Sequence, residues 1–189
     1  MKKIAFGLLI AALVCVLAPI HASADVKSEM LMWIKDSESK LNQLAEAMPA
    51  NKYAWRPGKG VRSVGEVYMH VASANYGIPT LWGAKAPDGF DIRTYEKSLT
   101  TKADIQKALK ESFVSVEKNI EAMSDADFEK PVNLFGTQTT ARGACLLILS
   151  HCHEHLGQSI AYARMNKVTP PWSMEPTAAK TGTKKEGGK

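Results

Sequence analysis

Apolar residues recur every three or four positions in four long stretches of this 189-residue chain, and that spacing predicts four helices. The first runs from about Val26 to Met48, with Met30, Leu31, Ile34, Leu41, Leu44, Ala45 and Met48 on its stripe. Pro49 and the Trp55-Arg56-Pro57-Gly58 stretch end it. The second opens at Ser63-Val64-Gly65-Glu66, where a hydroxyl acceptor is followed three residues later by Glu, a capping box, and runs to about Leu81. Thr100 or Thr101 caps the third, which carries Ile105, Leu109, Phe113, Val116, Ile120 and Met123 on its stripe. The fourth spans about Ala141 to Asn166, and Pro170-Pro171 forbids its continuation. Two stretches, Gly83 to Leu99 and Ser124 to Thr140, are expected to be irregular. No segment alternates as a half-buried strand would, and no repeat of about 20–50 residues is present. The expectation is an all-α four-helix bundle, in which metal and cofactor sites form from inward-facing side chains.

The two ends of the chain read differently. Lys2 and Lys3 precede an apolar run from Ile4 to Ile20, and Ala22-Ser23-Ala24 has the small-x-small form of a cleavage site. Residues 1–24 are therefore expected to be a signal peptide, with the mature protein beginning near Asp25 in a bacterial periplasm or outside the cell. The run is short for a spanning helix, so no stable membrane anchor is expected after cleavage. The bulky Val14 before Cys15 argues against a lipoprotein. Residues 25–172 would form the bundle. Residues 173–189 read as a basic, flexible, disordered tail in which Lys180, Lys184, Lys185 and Lys189 face only Glu175 and Glu186.

Charge and cysteines narrow the function classes. The formal net charge of +5 falls to +3 without Lys2 and Lys3. No basic helix face carries interleaved aromatics, which argues against nucleic acid as a partner. Cys145 and Cys152 are seven residues apart, about 10.5 Å of helix rise, too far to bridge each other. Their neighbours Ala144, Leu146, Leu147 and Ile148 point to burial as small apolar groups.

The candidate chemistry begins at His151 and His155, four apart in the fourth helix. Their face also carries Ala144, Leu147, Ile148, Gln158, Tyr162 and Met165, within about 60°, so the pair interrupts a stripe that should face the bundle interior. His153 points about 200° away, and Glu154 and Cys152 sit on the shoulders. In the second helix, His70 shares a face with Ser63, Glu66, Val67, Ala74, Gly77 and Leu81. The candidate ligand set is His70, His151 and His155. Three imidazoles leave one position of a tetrahedral ion open for water or substrate. Glu66 and Gln158 are the nearest candidates to accept the other ring N–H of a ligand, and Glu66 or Glu154 could serve as proton acceptor. The plainer alternative is that the pair are ordinary polar residues of a helix, with Glu66 a capping residue and Tyr162 and Trp82 packing groups.

Together these residues give the chain a resemblance to the DinB/YfiT-like metalloenzyme family. The likeness lies in Trp55-Arg56-Pro57, Arg62-Ser63-Val64-Gly65-Glu66 and His70. It continues in His151, His155-Leu156-Gly157-Gln158, Tyr162-Ala163-Arg164-Met165-Asn166 and Pro170-Pro171. It covers most of Met48 to Trp172. The resemblance implies a four-helix bundle holding a divalent metal, zinc or nickel foremost, through His70, His151 and His155. It also implies a metal-dependent hydrolase or a thiol transferase-like enzyme acting on a small molecule that no residue identifies, and a possible homodimer. The alternative is a non-catalytic metal-binding or partner-binding helical module. The signal peptide departs from the family's usual member. It counts against thiol transfer, because a cytosolic thiol would be scarce outside the membrane.

Overall fold

The computed structural model describes residues 25–174, so the expected signal peptide (1–24) and nearly all of the expected tail (175–189) lie outside the described residues. Four long helices form: α1 (Val26–Ala47), α2 (Val64–Gly77), α3 (Lys102–Glu121) and α5 (Ala141–Met165). Each begins at a side chain that satisfies an otherwise orphaned backbone N–H. Asp25 accepts from Lys27, Thr101 from Asp104 and Thr140 from Gly143. Ser63 and Glu66 form the expected reciprocal capping box at the start of α2. That helix ends at Gly77, sooner than expected. A tighter 3₁₀ turn around Pro79 carries the chain from Ile78 to Trp82 and stops at Gly83, whose φ of +99° only glycine adopts freely.

The stretch from Ser124 to Thr140 corrects the expectation of an irregular, strand-free connection. A single helical turn, α4 (Asp125–Phe128), leads into an antiparallel hairpin of β1 (Pro131–Leu134) and β2 (Thr137–Thr140). Alternation could not reveal these strands. Each has four residues, β2 is wholly polar, and Val132 alone is buried. The hairpin is made by its turn: Phe135 and Gly136 both have positive φ, and the Asn133 side chain accepts from the Gly136 N–H at 2.7 Å. The first N–H of α5, from Ala141, then donates to Lys130 O at 2.8 Å and sets the hairpin on the end of that helix.

The interior is filled from all four helices by Ile34, Leu41 and Leu44 of α1, Tyr68 of α2, Phe113 of α3 and Ile148 of α5. One buried polar link fixes how three of them are rotated. Asn75 of α2 donates to Ser112 Oγ of α3 at 3.2 Å, and Cys152 Sγ of α5 donates to Asn75 Oδ1 at 3.7 Å. Cys145 and Cys152 are both free and buried, as their apolar neighbours imply, and burial pushes both thiols up to about 12. Among the described residues, no helix is long and apolar enough to cross a membrane.

Candidate metal centre

His70 lies midway along α2, and the α5 pair faces it across the bundle. The ring centroids stand 4.9 Å (His70–His151), 4.7 Å (His70–His155) and 4.4 Å (His151–His155) apart. One ring nitrogen from each of the three lies within 4.8 Å of the others. The Nε2 atoms of His70 and His151 are 3.1 Å apart. Two ligands of a tetrahedral zinc with Zn–N bonds of about 2.0–2.1 Å would be separated by about 3.3 Å, so this spacing suits a shared ion.

The hydrogen bonds around the rings decide which nitrogens are free. Glu96 Oε2 sits 3.0 Å from His70 Nδ1; a carboxylate only accepts, so Nδ1 carries the proton and Nε2 keeps its lone pair. The His155 ring is oriented through three residues. Tyr162 Oη donates to Arg62 O at 3.2 Å and therefore accepts from Gln158 Nε2 at 3.0 Å. That turns Gln158 Oε1 towards His155 Nδ1, 2.8 Å away, which must be the donor. Both rings thus present a bare Nε2 to the centre. His151 Nδ1 is buried with no partner among the described residues, so this ring is held by packing and by its neighbours alone.

Burial favours the neutral form of His151 and His70. Burial pushes His151 down to about 3, with His155 and His70 adding to the effect. Burial also lowers His70, reinforced by Arg62 and His155 and opposed by Glu96. Neutral imidazole is the ligating form, so an ion entering at neutral pH need displace no proton from these two rings.

Glu96 is the residue that periodicity could not find. It lies in the 3₁₀ turn Tyr95–Lys97 of the long connection between α2 and α3, 26 residues after His70. An aromatic cluster holds that loop against α2: Tyr95 packs on Phe90 (5.1 Å) and both pack on Tyr76 (5.8 Å each). Two aromatics within a Gly/Pro/Asp-bearing loop were the available signal that the loop packs rather than hangs free. The other oxygen of Glu96 accepts from Arg62 Nε at 2.8 Å.

Glu66 does not take the place expected of it beside His70. Its carboxylate caps the Ser63 N–H and pairs with Arg56 at 3.2 Å, and the Ser63 bond, with Arg56, holds it below the usual carboxylate range. Gln158 does contact a candidate ligand, as described. Glu154 is exposed on α5. His153 lies apart from the cluster, its ring nitrogen near Leu149 O and Ser37 Oγ and its face edge-on to Trp33.

One cleft opens directly on the histidines, and a second lies beside it on the outer partners of the rings. A polar cleft of about 580 Å³ is lined by Arg56, Arg62, Glu66, Lys97 and Gln158. A mainly apolar one of about 510 Å³ is lined by Ile78, Ile92, Phe135 and Leu147 together with His70 and His151. Arg62 and Glu96 line both.

A four-helix bundle with three inward histidines, one from the second long helix and two from the last, defines a class of protein. The chain belongs to the DinB superfamily, whose family model matches residues 34–159. That span contains all three histidines. Among solved structures it is similar to a DinB-like protein of Bacillus cereus, with 15% identity and a TM-score of 0.67 over 76% of this chain and 95% of that one. It is similar too to the DinB-like YjoA of Bacillus subtilis, with 18% identity and a TM-score of 0.61 over 75% and 94%. A third is YfiT of Bacillus subtilis, with 16% identity and a TM-score of 0.61 over 76% and 89%. YfiT is described as a "probable metal-dependent hydrolase with an unusual four-helix bundle topology". At these identities the likeness establishes the fold. No curated protein matches the sequence.

Proposed function

We propose that this is an exported DinB-family hydrolase that holds one divalent ion, zinc or nickel, through His70, His151 and His155. The observation that carries the reading is the convergence of two bare Nε2 atoms, each fixed by an acceptor at its own Nδ1, on a third, partly buried imidazole. Such outer acceptors are the usual companions of metal-ligating histidines. Bound there, a divalent ion supplies Lewis acidity.

The chain's own residues do the rest. Glu96 and Gln158 set the tautomer and the ring plane of His70 and His155. Arg62 steadies Glu96, and the apolar cleft, which His70 and His151 line, admits a substrate. Glu66 lines the polar cleft, but the Ser63 N–H and Arg56 engage its carboxylate, and Glu154 faces outward, so neither is well placed to take a proton at the centre. Hydrolysis fits better than thiol transfer because the sequence of residues 1–24 favours export, away from cytosolic thiols. The description of YfiT favours the same reaction class.

The test is a substrate screen of protein loaded with zinc or with nickel, run against aryl esters, amides and thiol conjugates beside His151→Ala. Turnover of an ester or amide that falls at least about 100-fold in the variant is expected, since removing one essential catalytic group typically costs that much or more. Loaded protein that turns over none of the three classes would contradict the hydrolase reading and favour a metal-binding module. Turnover of thiol conjugates alone would favour a transferase.

A further inference from the structure

The tip of the β1–β2 hairpin carries a residue that neither turn chemistry nor packing explains. Phe135 and Gly136 are the two central residues of the turn, with φ of +50° and +96°. The first of these positions normally holds Asn, Asp or Gly, because a bulky side chain is strained in the left-handed region. Phe135 is also 75% exposed, the most exposed large apolar side chain among the described residues. A strained, water-facing phenylalanine gains nothing for the fold, and strain of this kind collects at sites of function.

What Phe135 borders is the apolar cleft beside His70 and His151. A second exposed apolar residue, Ile92 at 49%, reaches the same cleft from the α2–α3 loop. Its place is fixed, because Ile92 Cδ1 sits against Gly77 so closely that a Cβ there would lie 2.7 Å from it. Leu147 and Ile78 complete the lining. At the border with the polar cleft, Arg62 spends only its Nε on Glu96; its two terminal nitrogens have no hydrogen-bond partner among the described residues. Lys97 lines the polar cleft beside it and makes no ion pair among the described residues. Apolar walls and the guanidinium of Arg62 thus line one cleft beside the histidine cluster.

We propose that this cleft takes the apolar half of the substrate, with Phe135 and Ile92 as its specificity-determining walls. The substrate class is an acyl or aryl compound that also bears a carboxylate, which pairs with Arg62. The assignment rests on reading the three-histidine centre as the reactive site. Its test is therefore made without the metal, so that either can fail alone.

The measurement is calorimetric titration of 4-phenylbutyrate into the chelator-treated full chain, beside 4-phenylbutanol and butyrate. Phenylbutyrate binds, and each analogue lacking one half binds about tenfold more weakly. Phe135→Asn weakens phenylbutyrate about tenfold while the melting temperature stays level or rises, because asparagine suits the turn that phenylalanine strains. Phe135→Leu keeps part of the affinity. Arg62→Gln weakens phenylbutyrate and leaves phenylbutanol unchanged. Absence of phenylbutyrate binding, binding indifferent to Phe135→Asn, or a lower melting temperature in that variant would each overturn the assignment.

Discussion

His155→Ala is expected to leave the protein unable to retain an ion that the wild type keeps at one per chain through chelator competition. His155 is 6% exposed, and its ring is fixed by the Gln158–Tyr162–Arg62 chain of hydrogen bonds. That ordering means the wild type loses little freedom when an ion arrives. The variant keeps two imidazoles and must replace the third with water. Removing an outer partner of a ligand costs about 10–100-fold in affinity, and removing the ligand itself costs more. His153→Ala is the matched control, since that ring faces Ser37 and Trp33, away from the cluster; it should retain the ion. Metal analysis after dialysis against a chelator reads both variants. Equal retention by His155→Ala and wild type would remove His155 from the ligand set.

Phe113→Ala is expected to cost about 3–5 kcal/mol of stability, the range for truncating a buried phenylalanine. The side chain is 0% exposed on α3, at the centre of the four-helix core. For a domain of this size the loss lowers the melting temperature by about 10–15 °C, read by thermal unfolding of the metal-free protein. Below its transition the variant should still bind metal. The helices that carry the histidines are joined independently of Phe113, by Cys152 to Asn75 and by Tyr162 to the carbonyl of Arg62. A variant that melts like the wild type would show that α3 is not needed to fill the core. One that loses metal while folded would show that the core itself positions the site.

What the sequence could disclose follows from how far each signal reaches. Helix periodicity and caps are local, and they placed Ser63 at the start of the second helix, Thr100 or Thr101 at the start of the third, and the fourth from about Ala141. The inward turn of His70, His151 and His155 could be read because each shares a stripe with apolar neighbours. Gln158 could be found because it lies on the same face as His155, three residues on. Glu96 could not. It reaches His70 from an irregular loop, and its position is fixed by Phe90 and Tyr95 packing on Tyr76, which no spacing rule encodes. Glu66 was the reasonable substitute from helix geometry, but the capping box and Arg56 had already claimed its oxygens. The hairpin was hidden for a related reason. Its strands are too short to show a period, and its turn places phenylalanine where turn statistics expect a small or polar residue.

The most direct measurement of the central claim is X-ray absorption at the metal edge of zinc-loaded protein. Three imidazole nitrogens at about 2.0–2.1 Å are expected, with the remaining scatter from a light, non-imidazole ligand. In His70→Ala the imidazole count should fall to two. Fewer than three imidazoles in the wild type, or a sulfur at about 2.3 Å, would contradict the claim.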